Sequence, residues 1–204
     1  MRQDISVNYS VIRDVLRTGD LVLFSGKGGM SAGIKWGTMS QWSHVGMVVR
    51  LDGFDFVGLW ESTTLSDVAD VESGEKRKGV QLVALRERLN RYQGEVAIRR
   101  LEGIEIGEKE LAGLMAFKGE MNGRGYESNL FELVRSAYDG PMGRNEEDLS
   151  SVFCSELVAE AYQRMGLLGE EKASNEYTPA DFGQDRFLTL LAGRLSDEIL
   201  IGRE

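Results

Sequence analysis

The chain holds a single cysteine, Cys154, and a single histidine, His44, and each stands where thiolate chemistry would need it. His44 lies in Trp42-Ser43-His44-Val45-Gly46-Met47-Val48-Val49, a β-branched run that reads as a strand. Cys154 lies in Ser150-Ser151-Val152-Phe153-Cys154-Ser155-Glu156-Leu157-Val158, which reads as the first turn of a helix capped by Ser150 or Ser151. A cysteine attacks only as thiolate, and a helix N-terminus or a neighbouring imidazolium favours that state. In a first turn the Cys154 N–H would also be free to serve as one oxyanion donor, while a second donor has no signature in the sequence.

A third group comes from the turn that follows the histidine strand. Asp52-Gly53 between two apolar runs predicts a hairpin with a two-residue turn, which pairs Leu51 with Phe54 and, counting back, His44 with Glu61. Directly opposed side chains have Cβ atoms roughly 4.5–5.5 Å apart, within reach of a carboxylate–imidazole hydrogen bond. The same register puts Val45, Met47, Val49, Leu51, Phe54, Phe56 and Trp60 on a core face, and Arg50 opposite Asp55. His44 falls on the other face beside Gly46. Taken singly, a lone cysteine is commonly a small buried hydrophobe and a lone histidine a structural residue. The carboxylate beside the histidine and the capped helix around the cysteine lift the pair above that.

The elements that must position these groups follow from periodicity and punctuation. Residues 8–17 have helical spacing, Leu21–Phe24 reads as a buried strand, and the glycine-rich stretch 25–33 as a loop. After the hairpin comes a polar loop over 62–78, which includes the basic cluster Lys76-Arg77-Lys78. A strand at Val80–Val83, a helical turn or two at Leu85–Tyr92 and a strand at Glu95–Arg100 come next. Helices are predicted at 107–121 and 128–138, an acidic loop through Asn145-Glu146-Glu147-Asp148, and the Cys154 helix up to Met165, stopped by Gly166. A last strand is placed near 196–201. Strands cluster before residue 101 and helices after it, so the class is α+β, in one domain over 1–204.

Composition narrows the function further. A chain of 204 residues, 42% hydrophobic and 28% charged, is ample for one globular core. Its formal charge of −9 argues against nucleic acid or an anionic membrane face as the main partner. The first residues lack a secretion-signal pattern and no apolar run approaches a membrane span, so the expected location is cytoplasmic. Ser25-Gly26-Lys27-Gly28-Gly29-Met30-Ser31 lacks phosphate-loop spacing, and the acidic runs lack a calcium-loop pattern. One histidine and one cysteine do not make a zinc site, so neither metal nor cofactor is expected.

At these residues the chain resembles the circularly permuted branch of the NlpC-type papain-like cysteine peptidases, the group that includes the YiiX-like proteins. The matching pieces are Gly19-Asp20-Leu21-Val22-Leu23-Phe24, Ser43-His44-Val45-Gly46-Met47-Val48-Val49, Glu61, Phe153-Cys154-Ser155-Glu156-Leu157-Val158 and Tyr177-Thr178-Pro179-Ala180-Asp181-Phe182. Histidine before cysteine is the order that marks this branch. The resemblance implies an antiparallel sheet or barrel packed on the helix that carries the nucleophile. It implies Cys154 as nucleophile, His44 as general base and then acid, Glu61 orienting His44, and Tyr126 as a substrate-side tyrosine. The implied chemistry is attack on an amide or ester carbonyl through an acyl-thioester. The substrate would be a small peptide, an amide or a lipid-derived molecule. An acyl chain retained on Cys154 would instead mark an acyltransferase or lipid hydrolase, and an unreactive, fully buried Cys154 a non-catalytic binding module.

Overall fold

The computed structural model describes residues 6–26, 40–121 and 146–202. Tyr126, the predicted helix over 128–138 and most of the glycine-rich stretch lie outside the described residues. Leu21-Val22-Leu23-Phe24 is buried at every position, the signature of a strand covered on both faces. It forms the first four residues of β2 (Leu21–Gly26), which pairs antiparallel with β3 (His44–Leu51) on one side and β6 (Gly94–Arg99) on the other. β4 (Phe56–Thr63) and β5 (Gly79–Ala84) extend the sheet beyond β3. β9 (Ile199–Gly202) extends it beyond β6, and the short β1 (Val7–Asn8) pairs with β9 in parallel. The order is β1-β9-β6-β2-β3-β4-β5, and β7 (Leu101–Glu102) pairs separately with β8 (Arg194–Leu195).

Two apolar layers follow from the two-residue period of the strands. On one face Leu21, Leu23, Val45, Met47 and Trp60 pack against Leu157, Val158, Ala161 and Tyr162 of a long helix, α4 (Glu146–Arg164). On the other, Val22, Phe24, Val48, Leu59 and Ile98 pack with Leu16, near the short helix α1 (Tyr9–Ile12), and with Leu85 of α2 (Leu85–Arg91). A further helix, α3 (Glu108–Met121), adds Leu114 and Phe117 to the first layer. The expected α+β class is what these layers form. The helix anticipated over 8–17 is shorter, giving way at Arg13–Val15 to a tighter 3₁₀ turn.

Two local expectations are corrected. The hairpin turn is longer than Asp52-Gly53: a 3₁₀ turn at Asp52–Phe54 leads into Asp55 at φ 48, and Leu51 pairs with Phe56. Phe54 therefore leaves the core face and is 86% exposed. Every pair slips by two positions, which preserves the face of each side chain where a slip of one would reverse it. Arg50 now lies opposite Val57 yet still reaches Asp55 at 3.2 Å.

The second correction concerns α4, which begins at Glu146 and not at the serines. Glu146-Glu147-Asp148, expected as loop, belongs to the helix. Cys154 consequently sits in the third turn. Its N–H is spent on the carbonyl four residues back, so it is not an oxyanion donor, and the terminal dipole gives the sulfur little. The far end is as expected: Gly166 takes φ +70, and the Leu167 N–H returns to the Tyr162 carbonyl at 2.8 Å.

Candidate active site

His44 opens β3, and Glu61 is the sixth residue of β4. In the observed register Glu61 faces Gly46 instead of His44, and an added Cβ at Gly46 would sit 3.2 Å from Glu61 Cβ and 2.7 Å from Leu59 Cδ1. The missing side chain at 46 is what lets the Glu61 carboxylate run diagonally to the histidine. Its Oε2 meets His44 Nε2 at 2.7 Å. On the adjacent strand the Phe24 ring lies 5.3 Å from the imidazole, and Tyr92 meets Phe24 edge-on at 4.8 Å.

Glu61 is 1% exposed and would be costly to keep ionised without a second partner. That partner is Arg88, also 1% exposed, which donates from Nε at 2.8 Å and from Nη2 at 2.7 Å to Glu61 Oε1. Arg88 Nη1 continues to Asp67, in the loop after β4. The Gln81 amide of β5 satisfies both its atoms when its oxygen accepts from Arg88 Nη2 (2.9 Å) and its nitrogen donates to the Arg77 carbonyl (3.1 Å). Burial opposes the Glu61 charge, but the His44 hydrogen bond and the Arg88 charge hold the carboxyl below its ordinary range.

Cys154 approaches from the helix side. Three contacts fix α4 in place: the Tyr162 hydroxyl bonds to the Gly19 carbonyl just before β2, Ser155 Oγ donates to the Tyr177 carbonyl at 2.6 Å, and the apolar stripe packs on the sheet. The Tyr177–Phe182 segment is itself held by a reciprocal Thr178–Asp181 cap. Asp20 accepts from the Arg17 and Leu101 amides, both at 2.8 Å, and so secures the start of β2. The matching sequence pieces around Gly19 and Tyr177 therefore act by seating the helix. With Nε2 engaged by Glu61, Nδ1 is the ring nitrogen left to hydrogen-bond with the Cys154 thiol. Burial opposes a charged imidazole, but Cys154 and then Glu61 outweigh it and raise the His44 pKa to about 10. Cys154 is in no disulfide and is 0% exposed, while the His44 side chain retains 13% exposure.

No protein-family model matches the chain, and no curated protein matches it. Among solved structures the chain is similar to the crystal structure of the metalloprotein YiiX from Escherichia coli O157:H7, at 18% identity and a TM-score of 0.47, over 92% of this chain and 97% of that one. Among the described residues, no three His, Cys, Asp or Glu side chains gather to hold a metal ion, and no helix is long and apolar enough to cross a membrane.

The structure thus brings together His44, Glu61 and Cys154, and adds Arg88, Gln81 and Asp67, which sequence reasoning did not single out. Arg77, expected in a solvated basic loop, instead pairs with the buried Asp70 at 3.0 Å. Beside α4 lies a pocket of about 250 Å³ lined by Phe117, Met121, Phe153, Leu157 and the carboxylate of Glu156. Burial, with the Glu160 charge second, raises the Glu156 pKa from 4.5 to about 7, and its Oε2 has no hydrogen-bond partner among the described residues. The folded state then holds this proton more tightly than the unfolded chain, so Glu156 costs stability as pH rises from about 4.5 to about 7. Glu156→Gln is expected to stabilise the fold by up to roughly 3 kcal/mol at pH above that window. Below the window the gain should vanish, and denaturant midpoints measured on both sides of it check this.

Proposed function

We propose that this chain is a cysteine hydrolase of permuted papain-like architecture that cleaves an amide, in a peptide or an N-acyl amide, through an acyl-thioester on Cys154. The observation that carries this reading is His44 held between the Cys154 thiol and the Glu61 carboxylate, with Arg88 buried behind them. A structural cysteine needs no such arrangement. Burying these charged groups costs several kcal/mol each before their mutual attraction offsets it, and apolar side chains would fill the same space at less cost.

In this mechanism the imidazolium–thiolate pair is the resting state. The thiolate attacks the carbonyl carbon, the carbonyl electrons move to oxygen, and a tetrahedral intermediate forms. His44 gives its proton to the leaving nitrogen as the C–N bond breaks. The neutral imidazole then takes a proton from water, whose oxygen attacks the thioester, and the acid leaves with the thiolate restored. Glu61 fixes the ring so that the nitrogen facing the sulfur stays in line throughout.

A second reading has its own observation: the sulfur is 0% exposed, as befits a non-catalytic module that binds a peptide or lipid. The two separate in one experiment. The protein is incubated with a panel of activated acyl esters, and its intact mass is followed before and after hydroxylamine. A hydroxylamine-labile acyl adduct, absent in Cys154→Ala, is expected for the hydrolase. An adduct that persists in water would mark a transferase working through the same thioester. A chain that takes up no acyl group belongs to the binding module.

A further inference from the structure

Arg88 is a charged residue at an inward position of a short amphipathic helix, one turn from the buried Leu85, in a place where an apolar side chain would be ordinary. All its polar reach is spent on the site: Nε and Nη2 on Glu61, Nη1 on Asp67, and the Gln81 oxygen on Nη2. We propose that Arg88 is a positioning residue that sets how much of Cys154 stands as thiolate, acting through Glu61 and His44 without touching substrate. This rests on the reading of Cys154 as a nucleophile.

The argument is one of charge balance in a buried volume. A thiolate, an imidazolium, the Glu61 carboxylate and the Arg88 guanidinium sum to zero, and the exposed Asp67 lies at the solvent end of the row. The other ionisable groups around them are Tyr92, which faces Glu61, Arg88 and Cys154, and Arg91, which faces Asp67. Remove the guanidinium, and one negative charge is left unbalanced beside a fully buried sulfur. A buried unpaired charge is relieved by taking up a proton. Whether that proton settles on sulfur or on Glu61, the thiolate loses ground. On sulfur it removes the nucleophile outright. On Glu61 it removes the charge that holds His44 as imidazolium, and the thiolate loses its counter-ion.

The test is a pH titration of the thiolate, read from its far-ultraviolet absorbance, in the wild type and in Arg88→Gln, Arg88→Met and Arg88→Lys. With one cysteine in the chain, the thiolate signal is that of Cys154. The two neutral variants are expected to move the midpoint up by about one pH unit or more, a tenfold loss of thiolate at a fixed pH below it. Arg88→Lys keeps the charge but not the planar fork, so its midpoint should stay within about half a unit of the wild type. A merely structural Arg88 would lower the unfolding temperature of the neutral variants and leave their midpoints where they were. That result overturns the proposal and leaves the hydrolase reading standing. If the neutral variants do not fold, the Lys variant decides: a midpoint as high as that of a free thiol contradicts charge as the cause. A wild type with no thiolate below the free-thiol range overturns both readings together.

Discussion

Cys154→Ala is expected to abolish acyl transfer, by on the order of 10⁴-fold or more, while the protein stays folded. No other residue can substitute for it, since the chain has one cysteine and the sulfur is the group that His44 addresses. The structural cost is small because alanine keeps Cβ and loses one buried atom, a change of about 1 kcal/mol at most beside α4's packing. Circular dichroism and the denaturant midpoint check the fold, and turnover of whichever acyl ester labels the wild type checks the chemistry. Turnover retained in this variant would remove Cys154 from the mechanism altogether.

His44→Ala should cost nearly as much, roughly 10³-fold or more, by a different route. It deletes both the counter-ion of the thiolate and the proton donor for the leaving nitrogen. It also leaves Glu61 on Arg88 alone, so the carboxylate stays paired and the fold survives. Glu61→Gln should cost less than either, since it keeps a hydrogen bond to His44 and loses only the charge. It has a price in stability that His44→Ala lacks, because Arg88 then faces a neutral amide in a site 1% exposed, and breaking a buried pair costs about 3–5 kcal/mol. The order of activities, Cys154 and His44 variants below Glu61→Gln, and of stabilities, Glu61→Gln lowest, is measurable with the same three proteins.

How these residues come together was only partly legible in the sequence. The alternation on either side of Asp52-Gly53 was enough to place His44 and Glu61 on one face, because the two-residue shift of the real turn leaves parity untouched. The turn itself departs from its local signal: Asp52-Gly53 favours a tight hairpin, but Asp55 accepts a positive φ and ion pairs with Arg13 and Arg50, which hold a wider connection. Gly46 stands beside His44 on that face, and the room its missing side chain leaves is taken by Glu61. The start of α4 lies upstream of its sequence signal because Ser150-Ser151 has the chemistry of a cap, while the acidic run before it reads as loop. Arg88 gave no local sign of its role. Its partners lie 27 and 21 positions away in sequence, so only the fold brings them to it.

The central claim is an activated thiolate–imidazole pair, and the pH dependence of Cys154 alkylation by iodoacetamide, in wild type and in His44→Ala, tests it most directly. Burial of the sulfur slows the reaction by the frequency with which it becomes exposed, but the midpoint of the rate profile still reports its ionisation. The account predicts alkylation that persists well below the free-thiol pKa of about 8.5 in the wild type, and a midpoint that climbs to that value or above when His44 is removed. Profiles that coincide in the two proteins, or a thiol inert in both, would contradict it.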